Sequence, residues 1–153
     1  MAEFYTQFSC ILDVGTADNA ARAEAIRGEC AADLYRDEGG YPGFSVEVDH
    51  EAGPGALWIY SDEYGEPEHV IQFVLRCAEV LSLQGVWGFT WSLTCSKPRV
   101  GCFSGGAHAL DLGTRTTIAD IDCDDWLSKI TDPAPADNAK TALDFITGQG
   151  GTS

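Results

Sequence analysis

Hydrophobic and polar residues alternate along several short stretches of this chain and recur at helical spacing along others. Residues 4–13, FYTQFSCILD, are rich in aromatic and β-branched side chains, and an extended backbone puts Phe4, Phe8, Cys10 and Leu12 on one face. The other face is also fairly apolar, which predicts a central strand. Thr16 is placed to cap a helix beginning at Ala17. Through Ala17–Arg36 the inner stripe is Ala23, Ile26, Cys30 and Leu34, with charges around it. Gly28 weakens the middle of that helix by roughly 1 kcal/mol relative to Ala.

Asp37 to Gly43, DEGGYPG, reads as a loop. FSVEVD (44–49) then alternates, with Phe44, Val46 and Val48 inward. ALWIY (56–60) is a second strand, and the turn residues between predict an antiparallel hairpin. Trp58 and Tyr60 share the face of that strand opposite Leu57 and Ile59. The next helix has Pro67 in its first turn and Glu66 and Glu68 at the positive end of its dipole. Its core stripe is Val70, Phe73, Val74, Cys77 and Leu81, and Gln84-Gly85 ends it. VWGFTWSLTC (86–95) is a strand with Trp87, Phe89, Trp91 and Leu93 on one side. A long connection passes through Gly105-Gly106 to the strand AHALDL (107–112), and a short strand follows near Thr116–Ala119. Asp122 caps a last helix, CDDWLSKI, with Asp124 and Asp125 in its first turn and Lys129 in its last.

The order βαββαβ, then ββα, predicts an α+β fold: an antiparallel-rich sheet with helices packed on one face, ferredoxin-like at its core. Residues 1–132 read as a single domain. Residues 133–153 read as a linker, a short C-terminal helix and a flexible tail.

Length and composition suit that picture, since 153 residues with 44% hydrophobic content can bury one core. No apolar run approaches the ~18 residues of a membrane span. The N-terminus, MAEFYTQFSC, lacks a basic region followed by an apolar stretch, so no signal peptide is expected and a cytoplasmic location is. The six cysteines form no C-x-x-C pair, which predicts reduced thiols, mostly buried.

Charge changes the picture most. Twenty-four Asp and Glu against nine Lys and Arg give −15, a surface that repels nucleic acid and anionic membranes. From Asp37 to Glu68 there are nine acids and no Lys or Arg. Asp120, Asp122, Asp124 and Asp125 form a second concentration.

Most catalytic chemistries lack their residue pattern. There is no G-x-x-x-x-G-K-[ST], and no G-x-G-x-x-G between a strand and a helix. Cys95, Cys102 and His108 are spaced too widely for a zinc knuckle, although Cys123 or His69 could complete a set in space. DIDCDD (120–125) lacks the glycine and the final bidentate Glu of a calcium loop, with Asp125 and Thr131 in those places. A cysteine with His108 and Asp111 would resemble a nucleophilic triad, but His108 and Asp111 fall on opposite faces of one strand. Neither G-x-S-x-G nor H-E-x-x-H is present. Glu47, Asp49, His50 and Glu51 cluster at a strand end, where an outward face running into a turn explains them. No cofactor and no metal are expected.

What remains is an aromatic strip among carboxylates, WIYSDEYGEPE. Trp and Tyr anchor protein interfaces, and surrounding carboxylates steer a basic partner. The candidate partner-binding residues are Asp49, Glu51, Trp58, Tyr60, Asp62, Glu63, Tyr64, Glu66 and Glu68. EPEHVIQFVLRCAEVLSLQGVWGFTWSLTCSKPR and GGAHALDL, within residues 66–112, resemble small acidic proteins of unassigned function from bacterial plasmids, phages and integrated elements. That resemblance implies no activity and no site residues. By analogy it implies the company of inhibitors of host defence, anti-CRISPR proteins and DNA mimics among them. The leading expectation is a non-enzymatic acidic inhibitor that docks on a basic surface of a nucleic-acid-binding host protein or complex. The alternative is a small thiol- or metal-dependent enzyme using Cys95, Cys102 and His108. Self-association as a homodimer through the exposed aromatics is a third.

Overall fold

A computed structural model describes residues 2–132. In chain order the elements are β1 (Phe4–Asp13), α1 (Ala17–Asp33), a 3-10 turn (Arg36–Glu38), β2 (Ser45–Val48), β3 (Ala56–Ser61), α2 (Pro67–Leu81), β4 (Val86–Cys95), β5 (Ser104–Asp111), β6 (Thr116–Asp122) and α3 (Cys123–Thr131). The six strands form one antiparallel sheet in the order β2-β3-β1-β4-β5-β6.

This order follows from two interleaved crossovers. The α1 connection carries the chain from β1 to β2, leaving a gap that β3 fills by hairpin return. The α2 connection then carries it from β3 to β4 on the far side of β1. Split βαβ units of this kind make the ferredoxin-like arrangement, which β5 and β6 extend beyond β4. The α+β expectation is met element by element.

Helices α1 and α2 pack against each other and cover one face of the sheet. Thr16 Oγ1 caps α1 by accepting from the Asn19 amide at 3.1 Å. Ala20, Ala23, Ile26 and Cys30 from α1 meet Val70, Phe73, Val74, Cys77 and Leu81 from α2. Phe8, Leu12, Val46, Leu57, Ile59, Phe89 and Leu110 close the core from below. No helix among the described residues is long and apolar enough to cross a membrane.

Several sequence expectations need correction. Helix α1 stops at Asp33, so Leu34 becomes its C-cap and is exposed, and the neighbouring Tyr35 takes the core position. The Tyr35 ring stacks on the His69 ring at 3.9 Å, and its hydroxyl donates to the His69 carbonyl at 2.6 Å. Strand β1 is central in the sheet, yet its second face looks to solvent through Ser9, Ile11 and Asp13. Strand β5 starts at Ser104, three residues earlier than the apolar pattern indicates. Gly105 and Gly106 therefore belong to the sheet, and a side chain at Gly106 would collide with the Trp91 indole and the Ile121 carbonyl. Strand β6 runs on to Asp122. Only Cys30 and Cys77 are fully buried thiols among the six. The expected C-terminal helix and tail of residues 133–153 lie outside the described residues.

The sheet is not uniformly paired along β1. Phe4 to Gln7 pair with β4, whereas Phe8 to Asp13 pair with β3. Where β1 and β4 part, the Trp87 indole donates to the Ile11 carbonyl at 2.8 Å and satisfies it.

Candidate partner-binding surface

On the face of β2, β3 and β1 away from the helices, strand register decides the neighbours. Trp58 pairs with Ile11 on β1 and Glu47 on β2, while Tyr60 pairs with Ser9 and Ser45. Paired residues project to the same face, so these six side chains make one patch. The Trp58 and Tyr60 rings stack at 3.8 Å, 19° from parallel. The Trp58 Nε1 donates to Ser9 Oγ at 2.8 Å, which fixes the indole flat against the sheet. Trp58 and Ile11 remain 36% and 40% exposed, large apolar area for a sheet face without a covering layer.

The acidic half of the patch begins where β3 ends. Residues 62–65 do not leave the sheet as a free loop. The Thr6 amide donates to the Glu63 carbonyl at 2.7 Å, and the Gly65 amide donates to the Thr6 carbonyl at 2.9 Å. Gly65 lies so close to the Phe8 ring and the Thr6 carbonyl that no side chain fits there. The segment is thereby strapped along β1, with Asp62, Glu63 and Tyr64 exposed. Gln7 Nε2 adds a bond to the Asp62 carbonyl at 3.0 Å. Glu66 is tied in separately, its amide donating to the Gly43 carbonyl at 2.9 Å. The positive φ of Gly43 (74°), with the Glu66 side chain against its α-carbon, makes glycine the residue that fits there.

Tyr41 sits where these carboxylates converge. Its hydroxyl donates to the Tyr64 carbonyl at 2.9 Å. Burial, and then the nearby charges of Glu66, Asp62 and Glu63, push its phenol pKa up. A notch of about 240 Å³ opens between Tyr41, Ser45, Asp62 and Tyr64, with Arg27 at its base. The Arg27 guanidinium is held down by the Phe44 carbonyl, 3.1 Å from Nη2, and by the Phe44 ring. It makes no ion pair with Asp62 or Glu63. Among the described residues the recorded ion pair is Lys129 with Asp125, one helical turn apart at 2.9 Å. Among the described residues no strand contains a Lys or Arg.

The nine sequence candidates fall into separate places. Trp58, Tyr60, Asp62, Glu63, Tyr64 and Glu66 gather around one end of β3. Asp49 and Glu51 lie at its other end, about 16 Å away for five steps of an extended strand. Asp49 serves its own turn there, Oδ1 accepting from the Glu51 and Ala52 amides at 3.1 and 3.3 Å. Glu68 is exposed in the first turn of α2, on the helical layer. Sequence reading missed Ile11, Glu47 and Tyr41. The first two follow from cross-strand register. Tyr41 is brought in by the glycine-rich loop, whose path no periodicity reveals.

The residues of the alternative reading are arranged differently. Cys95 and Cys102 are neighbours at the mouth of the β4–β5 hairpin. His108 pairs with Phe89, six residues further along from Cys102 or about 20 Å of extended chain, and bonds Thr117 Oγ1 at 2.9 Å. His69 is buried against Tyr35 with Nδ1 3.1 Å from the Pro42 carbonyl. No group of three or more His, Cys, Asp or Glu is close enough to hold a metal ion among the described residues. Comparison with protein-family models, with curated proteins and with solved structures gives no match to this chain.

Proposed function

We propose that this protein is a non-enzymatic binding protein that docks its open sheet face on a basic surface of a nucleic-acid-binding protein or complex. The carrying observation is the Trp58–Tyr60 stack on an uncovered face, bordered by Glu47 and by the strapped carboxylates Asp62, Glu63 and Glu66. The stack supplies a rigid apolar anchor with little side-chain entropy to lose on binding. The carboxylates supply direction, since none of the described strands carries a Lys or Arg to neutralise them. In the DNA-mimic or anti-CRISPR form of this reading, they stand where phosphates of the partner's nucleic acid would lie, and the protein acts as an inhibitor.

The experiment is capture from host extract on the wild-type protein and on an Asp62→Lys, Glu63→Lys, Glu66→Lys variant. These side chains are exposed, so the variant keeps the fold, which circular dichroism checks. The wild-type protein is expected to retain basic nucleic-acid-binding proteins that elute as salt is raised, and the triple variant to lose them. Trp58→Ala is expected to weaken the same association by about 2 kcal/mol or more. Equal retention of the same proteins by wild-type and triple variant would overturn the reading.

A further inference from the structure

The β4–β5 hairpin pairs in unbroken register from Val86 with Asp111 to Leu93 with Ser104. Carried two residues past that last pair, the register leads Cys95 towards Cys102, and the two thiols lie near enough to act on each other, while the Cys102 Sγ donates to the Val100 carbonyl at 3.8 Å. Both are free and both are partly exposed. The last ladder pair, Leu93 with Ser104, has Cα atoms about 4.5 or 5.5 Å apart, and a disulfide spans roughly 4.4–6.8 Å, so a cross-strand bond just beyond that pair needs little backbone movement. Between them lies a six-residue tip, Ser96 to Gly101, which turns through the left-handed Gly101 and carries Lys97, Arg99 and the fully exposed Val100.

We propose that Cys95 and Cys102 form an oxidisable dithiol site that low-molecular-weight disulfides convert to one cross-strand disulfide at the mouth of the hairpin. One protein thiolate attacks a sulfur of the small disulfide, forms a mixed disulfide and expels a thiolate. The second protein thiolate attacks the protein-side sulfur of that mixed disulfide and expels the other small thiolate. The protein loses two protons and two electrons, and the small disulfide leaves as two thiols. Burial and the adjacent Cys95 push the Cys102 thiol up, partly offset by Arg99, so exchange speeds up as pH rises. The other cysteines do not compete as pairs. Cys30 and Cys77 are buried, Cys10 is pushed up to about 12 by burial, and Cys123 stands exposed at the start of α3.

The test is incubation of the folded protein with oxidised glutathione, acid quenching, alkylation and tryptic mass mapping. Trypsin cuts after Arg99 and so separates the two cysteines, whereas Lys97 is followed by Pro98. The expected product is a linked pair of peptides carrying Cys95 and Cys102, lighter by two hydrogens and free of glutathione. Cys95→Ser is expected to trap glutathione on Cys102, and Cys102→Ser to trap it on Cys95. Stable glutathione adducts at both positions of the wild-type protein would overturn the site. Linkage of either cysteine to Cys123 in preference to the other would overturn it as well.

Discussion

Cys10 on β1 and Cys77 on α2 show how a buried thiol sets the alkaline limit of this fold. Burial pushes both up to about 12 from the ordinary 9.0. Between those values the unfolded chain releases protons that the folded chain keeps. Stability is therefore present in full below about pH 9 and falls as pH rises towards 12, by on the order of 1 kcal/mol per pH unit for each thiol. Urea unfolding at pH 8 and pH 10 is expected to show this loss, and the Cys10→Ala, Cys77→Ala double variant to show a flatter slope. An equal slope in both would contradict it. Cys77's burial was legible from its place on the helical stripe, whereas Cys95 and Cys102 stay partly exposed near the end of a hairpin.

At the scale of elements, the alternation along β3 and the stripe along α2 determine nearly all of what those elements do. Leu57 and Ile59 are fully buried and Trp58 faces outward, as period two requires. The reading failed where tertiary contacts override local chemistry. Ser104-Gly105-Gly106 carries turn-like residues yet lies in β5, because Trp91 on β4 needs the space that a side chain at Gly106 would take. The change of partner along β1 has no sequence signal at all, and it has a measurable outcome. The amides of Phe8, Cys10 and Leu12 point to β3, while those of Ser9, Ile11 and Asp13 point to β4, beyond the end of that ladder at Gln7 and Ser92. Hydrogen exchange followed by NMR is expected to alternate along this half-strand, slow at even positions and fast at odd ones. Uniform protection from Phe8 to Asp13 would mean that β4 pairs along its whole length.

Across the whole molecule, the candidate surface was legible as charge and composition but not as shape. The run of nine acids from Asp37 to Glu68 marked the region. It did not tell which acids meet, because β3 separates Asp49 and Glu51 from Asp62 and Glu63, and α2 carries Glu68 to the other layer. The uncovered face has one more consequence. Edge strand β6 is exposed along nearly all its length, with Asp120 and Asp122 among its side chains, and Trp58 and Ile11 are open on the same sheet. Two copies could add strand to strand or stack face to face, and at neutral pH their mutual repulsion opposes both. As pH falls towards the isoelectric point of about 4.2, carboxylates take up protons and that repulsion fades before the backbone edge or the aromatics change. Light scattering during an acid titration is expected to report assembly beginning in the carboxylate range and reversing when alkali is returned. Acidity would then be this protein's solubility device, and the sheet it keeps apart from its twin is the one it holds out to a partner.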